Sequence, residues 1–264
     1  MVAPLLVVDD LRLETSEGQI LLAGLSFEIP VATSLGLLGA SGSGKSLTSL
    51  AILGLLPPGV VQTGGQILFA GTNLCELPEP QLRAFRGGHI GLVFQDPISS
   101  FNPVLSLGRQ VGEAMEVHSP GPAAARQQRI MELLAEVGLP DPERAYRAYP
   151  HELSGGMLQR AMIAAALAGE PDLLIADEPT TALDVRVQAG ILGMVEKLRT
   201  ERDLAMLWIS HDLAVAARVC DRLAVLDSGR IVESGSVAQL LSQPEHSTTQ
   251  DLLAACPGRQ KRGS

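Results

Sequence analysis

The stretch Gly39-Ala-Ser-Gly-Ser-Gly-Lys-Ser46, GASGSGKS in one-letter code, decides how this chain folds. It follows an apolar run, Ser34–Leu38, and precedes a segment of helical character, Leu47–Leu53. It fits the pattern G-x-x-x-x-G-K-[ST] at every fixed position, in the order strand, loop and helix that the pattern requires. Glycines let backbone N–H groups turn towards phosphate oxygens, and the start of the helix adds positive potential. The stretch therefore predicts an α/β fold with a loop that binds a nucleoside triphosphate.

Each polar position of this loop has a predicted task. Lys45 can reach the β and γ phosphates, and the Ser46 hydroxyl can ligate Mg²⁺. The remaining predicted nucleotide-binding positions of the loop are Gly39, Ser41, Gly42 and Gly44.

Short apolar runs alternate with stretches of helical character along most of the chain. Strands that are buried on both faces of a parallel sheet have continuous apolar sequences, so this alternation favours a largely parallel sheet. The predicted strands are Ser34–Gly39, Ile90–Gln95, Leu173–Glu178, Ala205–Ser210 and Leu223–Leu226.

The two ends of the sequence have a different pattern. Leu5–Leu13 and Gln19–Ile29 predict a pair of antiparallel strands joined through Glu17-Gly18. Asp227-Ser-Gly-Arg230 predicts a hairpin turn near the other end. After the glycine loop, Pro57 is expected to end the helix.

Residues 97–152 predict a mainly helical insertion, because Ala123–Gly138 carries apolar residues at helical spacing. We expect Phe101, Val104 and Leu105 to form a partly exposed apolar patch on it. We interpret residues 1–264 as one domain that contains this insertion as a helical subdomain.

Composition excludes several classes of protein. With 264 residues, 46% of them hydrophobic, the chain can bury a sizeable core. A net charge of −9 argues against binding to nucleic acid, which rewards dense Lys and Arg patches, and the basic cluster Arg259–Arg262 is predicted to be a solvated tail. Three cysteines without metal-ligand spacing predict reduced thiols in the cytosol. We expect neither a membrane span nor a secretion signal.

Two adjacent carboxylates, Asp177 and Glu178, end the apolar run Leu173–Glu178. Ligands of open α/β sheets gather where strands end. Because side chains alternate along a strand, Asp177 is expected to address a metal ion through water while Glu178 accepts a proton from attacking water.

A second helix start suited to anions lies at Leu153-Ser-Gly-Gly-Met-Leu-Gln-Arg160, where Ser154 is a predicted N-cap. A single nucleotide needs only one such loop, so a second one in the same chain requires an explanation.

The set GASGSGKS, Gln95-Asp-Pro97, LSGGMLQR, LLIADEP, Thr181-Ala-Leu-Asp184 and Ile209-Ser-His211, in that order, resembles the nucleotide-binding subunit of ATP-binding-cassette transporters. The resemblance covers about residues 5–255 and implies a RecA-like ATPase core with an N-terminal antiparallel β subdomain and an inserted helical subdomain. In this family two subunits meet head to tail. The second helix start, at Leu153–Arg160, would therefore bind the nucleotide that the partner chain holds.

The resemblance also implies roles for individual residues. Glu178 would be the general base, His211 would contact the γ phosphate, and Gln95 would sense the metal ion and the attacking water. The residues that would meet the partner's nucleotide or cross the dimer interface are Ser154, Gly155, Gly156 and Asp184. ATP and Mg²⁺ are the implied cofactors, with Ser46, Gln95 and Asp177 around the metal ion.

One zone departs from the family. An aromatic ring commonly precedes the lysine by about thirty residues and stacks on adenine, but Leu11-Arg-Leu13 occupies this zone. The Arg12 guanidinium is an alternative stacking surface.

Several short segments, among them Gln95–Pro103 and His246–Leu253, resemble the peptide and nickel importer branch of the family. The short chain favours the nickel-import ATPase, with di- and oligopeptide import as the alternative and a non-transport ATPase of DNA or ribosomes as a weaker one. A phosphoryl-transferring kinase would leave LSGGM and His211 without a task. The implied partners are a second ATPase subunit, transmembrane permease subunits and, through them, an extracytoplasmic solute-binding protein. The implied location is peripheral, on the cytoplasmic face of the cell membrane.

Overall fold

The computed structural model describes residues 4–118, 120–181 and 183–256, so the predicted tail at Arg259–Arg262 lies outside the described residues. The first elements are β1 (Pro4–Thr15), β2 (Ile20–Pro30), β3 (Ser34–Leu38), α1 (Lys45–Ile52), β4 (Val60–Phe69), β5 (Thr72–Asn73) and α2 (Glu79–Phe85). Next come β6 (Ile90–Val93), α3 (Pro97–Ser100), α4 (Leu107–His118), α5 (Ala123–Glu136), α6 (Pro142–Arg147), α7 (Gly155–Leu167), β7 (Leu173–Asp177) and α8 (Val185–Glu201). The last are β8 (Ala205–Ser210), α9 (Leu213–Val219), β9 (Arg222–Asp227), β10 (Arg230–Ser236), α10 (Val237–Ser242) and α11 (Ser247–Ala254). Short 3₁₀ turns cover Leu74–Glu76 and Pro150–Glu152.

The chain forms two compact units. The first contains the described residues up to Leu82 and those from Ala205 onward, and the second contains Arg83–Leu204. The expected α/β class and the five predicted parallel-sheet strands are confirmed, each strand to within one or two residues at its ends.

The parallel strands of the first unit follow the expected pattern of burial. β3 pairs in parallel with β8 on one side and with β9 on the other. All five residues of β3 and all six of β8 are buried, as their continuous apolar sequences require. β9 and β10 form the predicted antiparallel hairpin around Ser228-Gly229.

The N-terminal strands belong to a four-stranded antiparallel sheet with the order β2-β1-β4-β5, larger than the predicted pair. The pairing of β1 shifts around Asp10, which has a left-handed backbone (φ 50°), so that Val8 and Leu11 are both buried. The β4 strand, which was not predicted, faces this bulge with Gly65 (φ 81°), where a Cβ atom would collide with the Asp10 carbonyl group. Two adjacent glycines, Gly64 and Gly65, lower the strand propensity of this segment, which is why the sequence did not indicate β4. The bulge of β1 nevertheless requires glycine at position 65.

The helix after the glycine loop ends earlier than predicted. The Gly54 N–H donates to the Ala51 carbonyl at 3.0 Å and the Leu55 N–H to the Leu50 carbonyl at 2.8 Å, with Gly54 left-handed (φ 62°). This pair of hydrogen bonds is a Schellman motif, which satisfies carbonyl groups at the helix end. Gly54 therefore ends α1, and the prediction for Pro57 was wrong.

Residues 97–152 of the second unit are mainly helical, as predicted, and α3, α4 and α5 pack against α7. Glycines permit close helix contacts, because a Cβ atom at Gly108 would overlap the Tyr146 ring and one at Gly112 would lie 2.9 Å from Ile130 Cδ1. Phe101 is only 7% exposed, so its prediction as part of an exposed patch was wrong. The large hydrophobic side chains that the described part of this segment exposes to solvent include Val104, at 74% exposure, Val117, at 71%, and Ile98, at 68%.

An ionic cluster joins the C-terminal ends of α5 and α8 in the second unit. Glu136 accepts hydrogen bonds from Arg129, at 2.9 Å, and from Arg202. Burial alone would raise the pKa of Glu136, but the bonds from Arg202 and Arg129 hold it below its ordinary value.

The contact between β6 and α7 gives a stability prediction. A Cβ atom at Gly91 in β6 would collide with the Ala166 carbonyl oxygen of α7. Gly91→Ala should therefore push the helix away and lower the free energy of unfolding by about 1–3 kcal/mol. A reduced urea midpoint at unchanged slope would measure this loss.

The matched control is Gly190→Ala, on an exposed position of α8, where the nearest atom to a new Cβ is the flexible end of Arg160 at 3.1 Å. Alanine favours helix over glycine by about 1 kcal/mol, so this variant should be at least as stable as the parent chain. Equal midpoints for the two variants would contradict the packing argument.

Candidate functional site

The glycine loop of the first unit has the geometry of a phosphate cradle. Gly42 (φ 79°) and Gly44 (φ 108°) have left-handed backbones, which L-residues with side chains rarely adopt. A Cβ atom at Gly39 would collide with the Leu226 carbonyl oxygen and lie 2.6 Å from Ser43 Oγ. Glycine at these positions therefore keeps the loop in its path from β3 to α1.

Lys45 closes the loop from inside. Its Nζ donates hydrogen bonds to the carbonyl oxygens of Gly39, at 2.9 Å, and Ala40, at 2.8 Å, and the residue is only 5% exposed. The ammonium group is thus held at the loop, where it can interact with an anion.

Two further observations fit phosphate at this loop. In the part of the chain that the structure describes, no side chain caps the start of α1, and the first turn of this helix contains no acidic residue, so its amide groups are available to an anion. Within the described residues, the buried Ser43 hydroxyl has no hydrogen-bond partner. Ser46 is exposed on the first turn, as a residue that ligates a metal ion beside phosphate must be.

His211 follows β8 directly in the first unit and is exposed. The Asp212 N–H donates to Ser210 Oγ at 2.9 Å, and Asp212 Oδ1 caps α9 by accepting from the Ala214 N–H at 2.8 Å. These bonds on both sides fix the backbone that carries His211.

The two carboxylates of the second unit differ in backbone as well as in exposure. Asp177 is the last residue of β7 and is buried. Glu178 lies beyond the strand with a left-handed backbone (φ 46°), so the turn and not strand alternation directs its side chain. The argument from strand alternation therefore does not apply to Glu178.

Gln95 and Glu178 are brought together in the second unit. Gln95 Nε2 donates to Glu178 Oε2 at 3.3 Å, although 82 residues separate them along the chain. Asp96 begins α3 by accepting from the Ile98 N–H at 2.9 Å. Hydrogen bonds from Ile98 and then from Ser99 lower the pKa of Asp96, because they stabilise the ionised form of this cap.

The second predicted helix start is present at α7. Ser154 is its N-cap, with Oγ accepting from the Met157 N–H at 3.3 Å. A Cβ atom at Gly155 would have no atom of the described residues within 4 Å, while one at Gly156 would lie 2.6 Å from Val187 Cγ1 on α8. The residues at this start are accessible and small, as binding of an anion there requires.

Asp184 caps α8 within the second unit, because its Oδ1 accepts from the N–H groups of Arg186, at 3.0 Å, and Val187, at 2.9 Å.

Arg12 of the first unit donates to Asp10 through Nε at 3.1 Å and Nη2 at 2.9 Å. In the structure the guanidinium fork of Arg12 thus engages a carboxylate.

Sequence reasoning gave no role to Thr181, whose Oγ1 donates to Glu178 Oε2 at 2.9 Å. No local pattern announces this contact, because it depends on the left-handed backbone of Glu178.

Comparisons with known proteins agree with this geometry. The family model described as ABC transporter matches residues 22–181. Among solved structures, the chain is similar to the dimeric ATP-binding cassette MJ0796 in a post-hydrolysis state with ADP and Pi, with a TM-score of 0.78, 27% identity and coverage of 88% of this chain and 98% of that one. It is also similar to cbiO1 from Clostridium perfringens, part of the ABC transporter complex cbiONQ, with a TM-score of 0.80, 27% identity and coverage of 91% of each chain.

Three curated relatives are more similar in sequence. The peptidoglycan transport ATP-binding protein YejF of Agrobacterium fabrum is 47% identical over 258 residues, which are 96% of this chain and 47% of the relative. The dipeptide transport protein DppD of Bacillus subtilis is 43% identical over 242 residues, covering 91% and 72%. The oligopeptide transport protein OppD of the same organism is 44% identical over 267 residues, covering 99% and 74%. The chain thus spans about half the length of the first relative and about three quarters of the other two.

The fold and the phosphate loop together define an ATP-binding cassette with an α/β core, an antiparallel β sheet and a helical segment. The chain belongs to the ABC transporter family and is an ATPase cassette of that family. Among the described residues, no helix has the length and apolar character needed to cross a membrane.

The crowding at Gly39 predicts a nucleotide-binding defect. Gly39→Ala forces the loop or the Leu226 carbonyl group to move, so ATP affinity should fall by at least about tenfold, the equivalent of one charge-assisted hydrogen bond. Titration of the purified chain with a fluorescent ATP analogue measures the change.

Gly42→Ala is the control, because Gly42, unlike Gly39, has a left-handed backbone, and no atom of the described residues lies within 4 Å of its ideal Cβ. It carries backbone strain without a collision and should lose less affinity than Gly39→Ala. An equal or larger loss at Gly42 would show that strain, and not space, governs the loop.

Proposed function

We propose that this chain is the ATP-hydrolysing subunit of an importer for peptides or peptide-containing solutes. Relatives named for peptidoglycan, dipeptide and oligopeptide transport cover at least nine tenths of the chain at 43–47% identity and support the peptide alternative. The nickel reading rested on the short chain and receives no support from these relatives. Dipeptides, oligopeptides and peptidoglycan fragments share amide backbones and charged termini, so this chemistry defines the solute class.

One observation carries the proposal: a phosphate loop and a second anion-binding helix start occur in the same chain. The loop presents Lys45 and uncapped amide groups, while α7 begins at Ser154 with two glycines. Two copies, or two related chains, arranged head to tail would each complete the nucleotide site of the other. We therefore propose a dimer that ATP closes and hydrolysis reopens.

In the proposed mechanism, the amide groups of the glycine loop and Lys45 hold the β and γ phosphates. Ser46, Gln95 and Asp177 would hold Mg²⁺, which neutralises phosphate charge when bound. Glu178 would accept a proton from water as the water oxygen attacks the γ phosphorus, while the bond between this phosphorus and the bridging oxygen breaks and ADP leaves. His211 would orient the γ phosphate.

We further propose that residues 97–152 act as a helical subdomain of a single ATP-binding domain. They follow Gln95 and precede Ser154, so a change at either nucleotide-sensing residue moves one end of the segment. The partners would be a second ATPase, permease subunits and a solute-binding protein reached through the permease. Such an assembly would place the chain at the cytoplasmic face of the cell membrane.

The first functional prediction concerns Glu178→Gln, which keeps the shape of the side chain and removes the proton acceptor. ATP affinity should stay within about twofold of the parent chain, while turnover falls at least about a hundredfold, the usual contribution of a general base. Phosphate release and nucleotide titration measure the two quantities. Hydrolysis close to the parent rate would reject Glu178 as the base.

An uptake assay tests the solute class. Cells that lack the gene are complemented with the parent chain or with Glu178→Gln and are supplied with radiolabelled tripeptide or radioactive nickel. Accumulation of peptide with the parent chain alone supports the proposal. If the parent chain, but not Glu178→Gln, restored nickel accumulation and neither chain changed peptide accumulation, nickel import would be supported instead.

A second functional prediction separates binding from closure. Lys45→Ala removes the buried ammonium group and should weaken ATP binding by at least about tenfold. Ser154→Arg should leave this binding within about twofold but prevent ATP-dependent dimerisation, because the arginine side chain fills the helix start. Light scattering in a Glu178→Gln background measures dimerisation.

Ser154→Arg also removes an N-cap, which costs about 1 kcal/mol, so its melting temperature is compared with that of the parent chain. Equal loss of ATP binding in the two variants would contradict the action of α7 on the partner's nucleotide.

A further inference from the structure

The turn after β7 holds a conformational outlier. Glu178 has a left-handed backbone (φ 46°), which costs a residue with a side chain about 1–2 kcal/mol. The Thr181 N–H donates to the Glu178 carbonyl at 3.3 Å and closes the turn. Strain of this kind persists only where the surrounding structure imposes it, and it gathers at functional sites.

The closed turn brings the Thr181 hydroxyl onto the Glu178 side chain. Thr181 Oγ1 donates to Glu178 Oε2 at 2.9 Å, whereas Gln95 Nε2 reaches the same oxygen at 3.3 Å. The shorter bond, from a neighbour three residues away, is the tighter of the two. The last torsion of a glutamate is broad and has no strong rotamer preference. Hydrogen bonds, with that of Thr181 shorter than that of Gln95, therefore orient this carboxylate.

The rest of the turn is anchored within the second unit. Thr180 is buried, and its hydroxyl accepts a hydrogen bond at 3.2 Å from Gln188 Nε2 on α8. The Leu183 N–H donates to the Thr180 carbonyl at 3.3 Å, and Asp184 caps the same helix. Because α8 is 17 residues long, Thr181 is held by a rigid element.

We propose that Thr181 is a positioning residue for the reaction: its hydroxyl fixes the Glu178 carboxylate in the orientation that receives the proton of attacking water. The inference rests on the proposed role of Glu178 as base. Thr181 acts through Glu178 and is not assigned a contact with nucleotide, so its loss lowers kcat and leaves the KM for ATP unchanged.

The test uses the full-length chain with three threonine variants. Thr181→Val removes the hydroxyl at nearly constant shape, and kcat should fall about tenfold, the rate equivalent of one hydrogen bond to a charged group, with KM within about twofold. Thr181→Ser restores the donor and should recover at least half of the lost rate on a logarithmic scale. Thr200→Val, the matched control, removes an exposed threonine hydroxyl of α8 that donates to the Glu196 carbonyl at 3.0 Å and not to Glu178, and should keep kcat within about twofold.

Single-turnover measurements in a Glu178→Ala background identify the route of the effect. Thr181→Val should lower the residual rate no further, since the group through which it acts is gone. The inference is overturned by parent-like kcat in Thr181→Val, by failure of serine to recover activity, by an equal loss in Thr200→Val, or by a further tenfold loss in the Glu178→Ala background. These outcomes differ from failure of the proposed function, in which Glu178→Gln itself retains turnover.

Discussion

A buried ammonium group is the constraint on which the nucleotide-binding end of the first unit depends. Lys45 is nearly inaccessible to solvent, and a charge so placed is costly unless hydrogen bonds compensate it. The carbonyl groups of Gly39 and Ala40 provide those bonds, which ties the last turn of the loop to its first residue. The end of β3, the loop and the start of α1 are therefore held together as one structural unit. The left-handed backbones of Gly42 and Gly44 allow the loop to turn back so that Lys45 reaches Gly39.

The second unit depends on a different set of interactions, which hold acidic and amide side chains in place. Helix N-caps contribute much of this order. Asp96 caps α3, Ser154 caps α7 and Asp184 caps α8, and each of these helix starts adjoins or contains predicted site residues. A capped start fixes the backbone of the preceding loop as well. The position of Gln95 thus follows from the cap at Asp96, whereas the left-handed turn after β7 sets that of Glu178. The fold brings the two side chains together in a hydrogen bond.

Much of this arrangement could be predicted from the sequence, for physical reasons that differ from element to element. The buried strands β3, β7 and β8 are continuous apolar runs, and the glycine loop constrains its own conformation, so both are visible locally. β4 was hidden by Gly64 and Gly65, whose purpose is a bulge in β1 that lies more than fifty residues away. The burial of Phe101 depends on tertiary packing, which the local sequence does not indicate. The contact of Thr181 with Glu178 depends on a left-handed backbone at a residue that is not glycine, so the sequence does not indicate it either.

The close packing of Gly156 against Val187 limits which substitutions the chain can accept at these two positions. A methyl group at position 156 would lie 2.6 Å from a methyl group of Val187, so the two side chains share one small volume. A chain that acquires alanine at 156 can restore the packing by acquiring alanine or glycine at 187, whereas either change alone leaves a clash or a void. The two positions should therefore vary together among relatives, and the start of the helix at Ser154 inherits a substitution limit set by a residue 33 places further along the chain.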